Sequence, residues 1–421
     1  MHQIKDDSKE KVILTALELP AMESEDVEES LLELAGLAET AGAEVVDSNV
    51  QRRRRPDSAT YLGRGRVREL AELAGSRGAD LLIVDRELQP AQQRNLEEAV
   101  GVRVVDRTQL NLDIFARRAG TREGKLQVEL AQLQYLLPRL TGLGTQLSRL
   151  GGGIGTRGPG ETRLEVDRRR IRKRIADLQK EIEEVRRHRT LLRRGRQTVP
   201  FPLAVLVGYT NAGKSTLLNK LTGAGVLAED KLFATLDPTT RRVDLPSGDT
   251  ALLTDTVGFI RNLPHHLVAA FRATLEEVAE ADLIVHVVDA SHPRMKEQMR
   301  AVEEVLKSLE AGGKPRLTVF NKVDRLDDTN NVLPPPNLPG EVAVSALNGA
   351  GLSQMLQRLS GLLAAGRVTE TFFVPYNRSA VLPLIYENGR VLEEKHGPEG
   401  VEVTTELGAV WARRVRARLR E

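Results

Sequence analysis

Short runs of apolar residues alternate with stretches of helical spacing in the first quarter of this chain. A run of about four apolar residues is typical of a buried strand, and apolar residues three or four positions apart are typical of a helix packed on one side. The alternation therefore predicts a small N-terminal α/β domain at residues 1–115. Its predicted strands cover residues 12–16, 44–46, 81–84 and 103–106, and its predicted helices cover residues 30–41 and 65–74.

The spacing becomes purely helical between residues 116 and 197. A first helix, expected to end near Pro138 and Gly142, is indicated by the spacing of Leu126, Leu130, Leu133 and Leu137. A second helix, over residues 161–194, carries a heptad seam of Ile171, Ile175, Leu178, Ile182 and Val185. Together they predict an antiparallel helical hairpin. The loop between them, residues 151–160, is too rich in glycine to hold regular structure unaided.

Strands and helices alternate again over residues 198–366, which predicts a larger α/β domain with a parallel sheet. Its Pro-rich stretch at residues 333–339 reads as a surface loop. Residues 367–421 predict a small α/β C-terminal domain. Its expected elements are a strand at residues 369–374, a helix at 377–386, a hairpin turning at 397–400 and a final helix containing Trp411.

A glycine-rich loop of the form G-x-x-x-x-G-K-S follows the apolar strand Leu203–Val207 and precedes a helix. In that context it predicts a phosphate-binding loop, because glycines let backbone N–H groups approach phosphates. Lys214 would supply charge for the β and γ oxygens, and Ser215 would offer its hydroxyl to Mg²⁺. An ordinary glycine-rich turn is the alternative. The residues concerned are Gly208, Tyr209, Thr210, Asn211, Ala212, Gly213, Lys214, Ser215 and Thr216.

Three more polar motifs follow strand ends, where open α/β sheets bind ligands. Asp255, Thr256, Val257 and Gly258 follow the strand at residues 251–254. Here Asp255 would hold Mg²⁺ through water, and the Gly258 N–H would meet the γ-phosphate, so Lys214, Asp255 and Gly258 are candidate catalytic residues. A third motif, after the strand at residues 317–320, comprises Asn321, Lys322, Val323 and Asp324.

The third motif predicts the base. The Asp324 carboxylate can accept two hydrogen bonds from N1–H and the exocyclic amine, which guanine has and adenine lacks. Asn321 is expected to brace the phosphate loop, and the Lys322 stem to lie over the base. Backbone contacts to the base are expected from Ser345, Ala346 and Leu347, after the strand at residues 341–344. The predicted ligand is therefore GTP or GDP, and the fold class is α/β with a P-loop GTPase domain.

The position directly after Gly258 holds Phe259, where Ras-like enzymes have a glutamine that orients the attacking water. A phenyl ring cannot position water. The domain is therefore expected to hydrolyse GTP slowly by itself and to need a partner. Arg241 and Arg242 could act as an arginine finger in cis, or could contact phosphate or RNA at the surface.

Composition excludes several classes of protein. The chain has 421 residues and no cysteine, so neither a disulfide framework nor a thiolate metal site is possible. The N-terminus lacks a hydrophobic signal core and no apolar stretch is long enough to span a bilayer, so we expect a cytoplasmic protein without stable membrane insertion. Aromatic residues make up 3%, which argues against a stacking platform for single strands.

Basic residues cluster on the second predicted hairpin helix although the net charge is only +2. Residues 161–196 contain 14 Lys or Arg against 7 Asp or Glu. A solvated helix face is one reading, and RNA binding through phosphates is the favoured one, with no DNA partner expected. The candidate RNA contacts are Arg157 in the glycine-rich loop and Arg168, Arg169, Arg170, Arg172, Lys173 and Arg174 on the helix.

These features together resemble the HflX family of GTPases over most of the chain. The resemblance rests on residues 151–162, on residues 106–110 with 124–133, and on residues 233–239. It implies a factor that docks on the large ribosomal subunit, extends its helical loop toward the catalytic centre of that subunit, and helps to separate stalled or idle ribosomes. A protein scaffold or membrane-associated switch is the alternative.

The resemblance also assigns residues in switch I, which falls within residues 231–242. By similarity to the related Obg GTPases, Thr235 would give Mg²⁺ its second hydroxyl and join the catalytic set, with Thr239 as competitor. Asn211 resembles the loop asparagine of GTPases that hold K⁺ where an arginine finger would lie; alternatively it caps the loop backbone. The GTP-binding residues in this segment are Phe233, Ala234, Thr235, Leu236 and Asp237.

Overall fold

The computed structural model describes residues 9–20, 22–140, 163–196, 201–223, 232–233, 235–260, 272–326, 340–364 and 367–420. The glycine-rich loop with Arg157, the switch residue Ala234 and the Pro-rich stretch at residues 333–339 lie outside the described residues. The chain forms two compact units. The first comprises Met1–Glu184, Lys231–Phe233 and Asn262–Arg272, and the second comprises Val185–Asp230, Ala234–Arg261 and Ala273–Glu421.

The first unit contains a four-stranded parallel sheet in the order β2-β1-β3-β4. Its strands carry the predicted apolar runs, and the centre of the sheet is fully buried, as at Ile13 and Leu82. Two of its four helices, α3 and α4, were not predicted from the sequence. The elements are β1 (Lys11–Glu18), α1 (Ser24–Thr40), β2 (Glu44–Arg52), α2 (Arg64–Arg77), β3 (Leu81–Val84), α3 (Pro90–Val100), β4 (Arg103–Asp106) and α4 (Arg107–Arg118).

Two antiparallel helices, α5 (Arg122–Arg139) and α6 (Arg163–Arg196), follow. Ion pairs between the two helices show that they run in opposite directions, since Arg122 lies 3.8 Å from Glu181 while Arg174 Nε lies 2.7 Å from Glu129. On α6 the predicted seam is buried at Leu178 and Ile182. The helix predicted from the leucine spacing is confirmed as α5, which ends at Arg139. Leu126 is buried and Leu130, Leu133 and Leu137 are partly buried, while Val128, Ala131 and Tyr135 are fully buried.

The second unit contains a six-stranded sheet in the order β10-β9-β8-β5-β7-β6, parallel except for the edge strand β6. Strands β5 and β8 are almost entirely buried. Parallel strands in such a sheet are covered on both faces, and this is why their sequences are nearly continuous apolar runs. The elements are β5 (Leu203–Val207), α7 (Lys214–Thr222), β6 (Thr239–Asp244), β7 (Thr250–Asp255), α8 (Arg272–Glu280), β8 (Leu283–Asp289), α9 (Met295–Ser308), β9 (Arg316–Asn321), β10 (Glu341–Ala343) and α10 (Leu352–Ala364).

The C-terminal region of the second unit forms a three-stranded antiparallel sheet in the order β11-β13-β12. The helix predicted at residues 377–386 is divided into a 3₁₀ turn, Tyr376–Val381, and a short α-helix. The predicted α/β fold class is confirmed. The elements are β11 (Arg367–Pro375), α11 (Leu382–Asn388), β12 (Gly389–His396), β13 (Gly400–Gly408) and α12 (Ala409–Arg420). No helix in the described parts of the chain has the length and apolar content needed to cross a bilayer.

One polar residue interrupts the apolar strand β8. His286 is 1% exposed and its Nδ1 has no hydrogen-bond partner. Burial lowers the pKa of His286 to about 3, and the positive charges of Arg316 and Lys214 act in the same direction. The native protein therefore keeps His286 neutral, whereas an unfolded chain binds a proton there below about pH 6.5.

Acid should therefore destabilise the native protein through His286, over the window from about pH 6.5 down to 3. At pH 5 this one residue should lower the free energy of unfolding by about 2 kcal/mol relative to pH 7. Urea unfolding of wild type and His286→Leu at both pH values measures it. The variant should lose less stability on acidification by that amount, and an identical pH response in both proteins would contradict the prediction.

Candidate nucleotide-binding site

The phosphate loop connects β5 to α7 and is held close to the sheet. A Cβ atom on Gly208 would lie 2.2 Å from the Val287 carbonyl oxygen, so only glycine permits this approach. Gly213 has φ +91°, and a Cβ there would lie 2.2 Å from Asn321 Nδ2. Both glycines of the motif are therefore required by contacts inside the second unit.

Lys214 is the first residue of α7, and its side chain is buried against the phosphate loop. Its Nζ donates to the carbonyl oxygens of Gly208 at 3.1 Å and Tyr209 at 2.9 Å. Burial lowers the pKa of Lys214 to about 8, and the carboxylate of Asp255 opposes that shift. A polyphosphate brought next to this amine would favour its charged form, so the loop holds a cation whose desolvation an anionic ligand offsets.

Three side-chain oxygens converge beside the start of α7. Ser215 Oγ lies 2.8 Å from Thr235 Oγ1, and both hydroxyls donate to Asp255 Oδ2, at 2.6 and 3.0 Å. Burial raises the pKa of Asp255, while Lys214 and the two hydroxyls oppose it. Oxygen donors are the ligands that Mg²⁺ requires, and Asp255 Oδ1 is buried with no partner. These residues fit a Mg²⁺ site, whereas Thr239 is a strand residue of β6 opposite Asp255.

The segment after Asp255 is joined to the phosphate loop by two backbone hydrogen bonds. Phe259 N–H donates to the Gly208 carbonyl at 3.1 Å, and Thr210 N–H donates to the Phe259 carbonyl at 2.7 Å. The Phe259 side chain is only 4% exposed. The ring at the position of the missing glutamine is therefore packed away from solvent, and Gly258 is brought directly against the loop.

Asn321 connects the phosphate side of the site to the base side. Its Nδ2 donates to the Ala212 carbonyl and its Oδ1 accepts from Ala346 N–H, both at 2.9 Å. Asp324 lies in the 3₁₀ turn Val323–Arg325 with its side chain exposed, and Leu347 is 72% exposed beyond the buried Ser345. The two segments expected to contact the base, residues 321–324 and 345–347, thus meet at the carboxyl ends of β9 and β10.

The sequence reasoning missed Asp289, the last residue of β8. Its Oδ2 lies 2.8 Å from Lys322 Nζ, while its Oδ1 accepts from the Ser291 N–H and hydroxyl. Burial acts to raise the pKa of Asp289, but the hydrogen bonds from Lys322 and Ser291 outweigh it and lower the pKa. The signal in the sequence was an acid at the end of the apolar run that forms β8; its position beside Asn321 is visible only in the sheet.

Some of the predicted residues are directed elsewhere. Phe233 clusters with the first unit, where its buried ring meets Phe115 edge to face with ring centroids 4.7 Å apart, because an aromatic ring gains more from apolar contact than from a polar phosphate site. Leu236 is likewise buried. Arg241 and Arg242 are exposed on β6, and Arg242 lies over the ring of Phe201.

The basic residues of α6 divide into two groups around its apolar seam. Arg174 lies beside the seam and is paired bidentately with Glu129, while Arg168 is half-buried. Arg174 therefore contributes to the hairpin itself. Of the other exposed basic residues, Arg169 and Lys173 lie opposite the seam and Arg170 and Arg172 lie on its two flanks, and these four side chains make up the basic face of α6.

The matching family models and the curated relatives indicate one family. Family models described as "GTP-binding GTPase N-terminal", "GTP-binding GTPase Middle Region" and "50S ribosome-binding GTPase" match residues 28–116, 118–196 and 203–322. GTPase HflX of Caldanaerobacter subterraneus is 50% identical over 95% of this chain and 91% of its own. GTPase HflX of Escherichia coli is 46% identical over 85% of both. A solved GTP-binding protein from Sulfolobus solfataricus, in complex with GDP, is 24% identical over 84% of this chain and 98% of its own, with a TM-score of 0.46.

Removing the charge of Asp289 should loosen the base side of the site. In Asp289→Asn the Lys322 amine is left without its ionic partner, and we expect GDP to dissociate about tenfold faster, the effect of removing one charge-assisted hydrogen bond. Stopped-flow release of a fluorescent GDP measures it. Asp282→Asn, at the amino end of the same strand, is the control and should release GDP at the wild-type rate. Equal rates in all three proteins would remove Asp289 from the site.

Proposed function

Because the chain belongs to the HflX family of GTPases and hydrolyses GTP, we propose that it acts on the large ribosomal subunit in the cytoplasm, where GTP controls its binding and the dissociation or rescue of stalled and idle ribosomes. The observation that carries the proposal is the basic face of α6, whose four exposed cations lie opposite the apolar seam or on its flanks. Cations on a long helix suit contact with RNA phosphates without base readout.

The nucleotide would control this binding through the γ-phosphate. Ser215 and Thr235, with Asp255 behind them, would hold Mg²⁺, which would neutralise negative charge on the phosphates of the nucleotide. Thr235 reaches this position from the segment preceding β6, so release of the γ-phosphate takes away one of the interactions that hold that segment. The GTP and GDP states would therefore differ most around Thr235 and Gly258.

Hydrolysis by the isolated chain should be slow. The position that normally carries a water-orienting glutamine is occupied by the buried Phe259 ring. Ribosome binding would then accelerate turnover by ordering the segments around Thr235 and Gly258. This dependence would keep the GTP form available until the protein has reached its target.

Neutralising the basic face should weaken large-subunit binding. We expect the triple variant Arg169→Gln, Arg172→Gln and Lys173→Gln to reduce the slope of log affinity against log salt by about three, one for each RNA phosphate that is no longer neutralised. Co-sedimentation with large subunits at several salt concentrations, in a non-hydrolysable GTP analogue, measures it.

The matched control removes three exposed cations from α9 in Lys296→Gln, Arg300→Gln and Lys307→Gln. This control should keep the wild-type salt dependence. Lys214→Ala should bind subunits equally with and without nucleotide, and Asp324→Asn should lose its preference for guanine. If the wild type stays off the large subunit in both nucleotide states, a protein-scaffold or membrane-associated switch becomes the better reading.

We propose further that K⁺ assists hydrolysis at Asn211. This residue has φ +61°, a left-handed conformation that asparagine tolerates, and its side chain is exposed on the phosphate loop. Turnover in K⁺ should exceed turnover in Na⁺ by about tenfold, equivalent to about 1.4 kcal/mol of barrier. Asn211→Ala should remove the difference, and equal rates in the two buffers for the wild type would refute the proposal.

A further inference from the structure

One polar group in the phosphate loop is buried without a partner. Thr210 is 6% exposed, and its Oγ1 makes no hydrogen bond. A buried hydroxyl with no partner is uncommon in proteins, because the group has given up its bonds to water and formed none in return. Such a group in a ligand site indicates that its partner arrives with the ligand.

The position of Thr210 is fixed by its contacts with Gly258. A Cβ atom built on Gly258 would lie 2.7 Å from Thr210 Cα, 2.8 Å from Thr210 Cγ2 and 3.0 Å from Lys214 Nζ. The side chain of Thr210 and the amine of Lys214 therefore flank the same point. The hydrogen bond from Thr210 N–H to Phe259 holds the residue there from the other side.

This point lies where a γ-phosphate meets the protein. Lys214 is the group that contacts the β and γ oxygens in a phosphate loop, and the D-x-x-G glycine offers its N–H to the γ-phosphate. Thr210 contacts that glycine directly. The contact is made by Thr210 Cα and Cγ2, and the hydroxyl is carried by the same Cβ as that methyl group, so it lies beside the part of the protein that would meet the γ-phosphate.

The other side-chain donors around this point already make hydrogen bonds. Lys214 donates to two loop carbonyls, and the hydroxyls of Ser215 and Thr235 donate to Asp255. Phe259 offers no polar atom. Among the described loop and D-x-x-G side chains, Thr210 combines burial, proximity to Gly258 and a hydroxyl that can both donate and accept.

We propose that Thr210 is a catalytic residue that helps to orient the attacking water, which is the role of the glutamine in Ras-like enzymes. Its hydroxyl accepts a hydrogen bond from the attacking water and donates its own proton to a γ-phosphate oxygen. The water oxygen forms a bond to phosphorus as the bond to the β–γ bridging oxygen breaks. GDP leaves with that electron pair, a water proton ends on inorganic phosphate, and Thr210 itself ends unchanged.

Two substitutions separate the hydroxyl from the methyl group of Thr210. Thr210→Val keeps the shape and removes the hydroxyl, so turnover at saturating GTP should fall roughly tenfold to a hundredfold. GDP affinity should stay within about twofold, because GDP lacks the γ-phosphate oxygen to which the hydroxyl would donate. Thr210→Ser keeps the hydroxyl and should retain turnover within about threefold. All rates are measured with the full chain in the absence of ribosomes.

Thermal unfolding without nucleotide gives a second readout that does not depend on activity. Thr210→Val should raise the unfolding midpoint by roughly 2–4 °C, because it removes an unpaired buried hydroxyl. Thr254→Val is the matched control. Its hydroxyl is buried but lies 2.8 Å from that of Thr240, so its removal should lower the midpoint.

Two results would overturn the assignment. Wild-type turnover in Thr210→Val would show that the hydroxyl takes no part in the reaction. An equal fall in turnover in Thr210→Ser and Thr210→Val would show that the methyl contact with Gly258, and not the hydroxyl, is what matters. Unchanged GDP affinity in each variant establishes that the loop is folded, so either result counts against the proposal.

Discussion

A single buried amide holds the nucleotide site together. Asn321 bonds to the Ala212 carbonyl with one end and to the Ala346 N–H with the other, and is only 2% exposed. The separation between the phosphate loop and the base segment is thus set by one rigid side chain. Gly213 must be glycine because this amide lies where its side chain would be, so loop sequence and base motif depend on each other.

The sequence contained most of this site but not all of its supports. Strands that end in polar motifs are visible in the apolar pattern, and parallel strands bring those ends to one edge of a sheet. This is why Ser215, Asp255 and Asn321 could be grouped beforehand. Asp289 was not found, because its partner Lys322 directly follows another strand, β9, and only the pairing of Asp289 with Asn321 in the sheet shows that the two are close.

Contacts between residues distant in the chain also explain what was not predicted in the first unit. Helix α4 buries Arg107, whose partners Asp85 and Glu33 lie 22 and 74 positions earlier in the chain. A charged residue inside a buried helix face hides its apolar period. On α5, leucines spaced three and four apart predicted the helix, and its buried positions also include Val128, Ala131 and Tyr135, which tertiary packing selected.

The backbone bridge between Thr210 and Phe259 divides the site into parts with different freedom. The phosphate loop, Gly258 and the base motif are connected to the sheet and to one another, whereas Thr235 is held through hydroxyl contacts to Ser215 and Asp255. A partner molecule that moved only Thr235 away would leave the contacts of the guanine base unchanged. Cleavage of GTP and retention of GDP would then depend on different contacts within the same site.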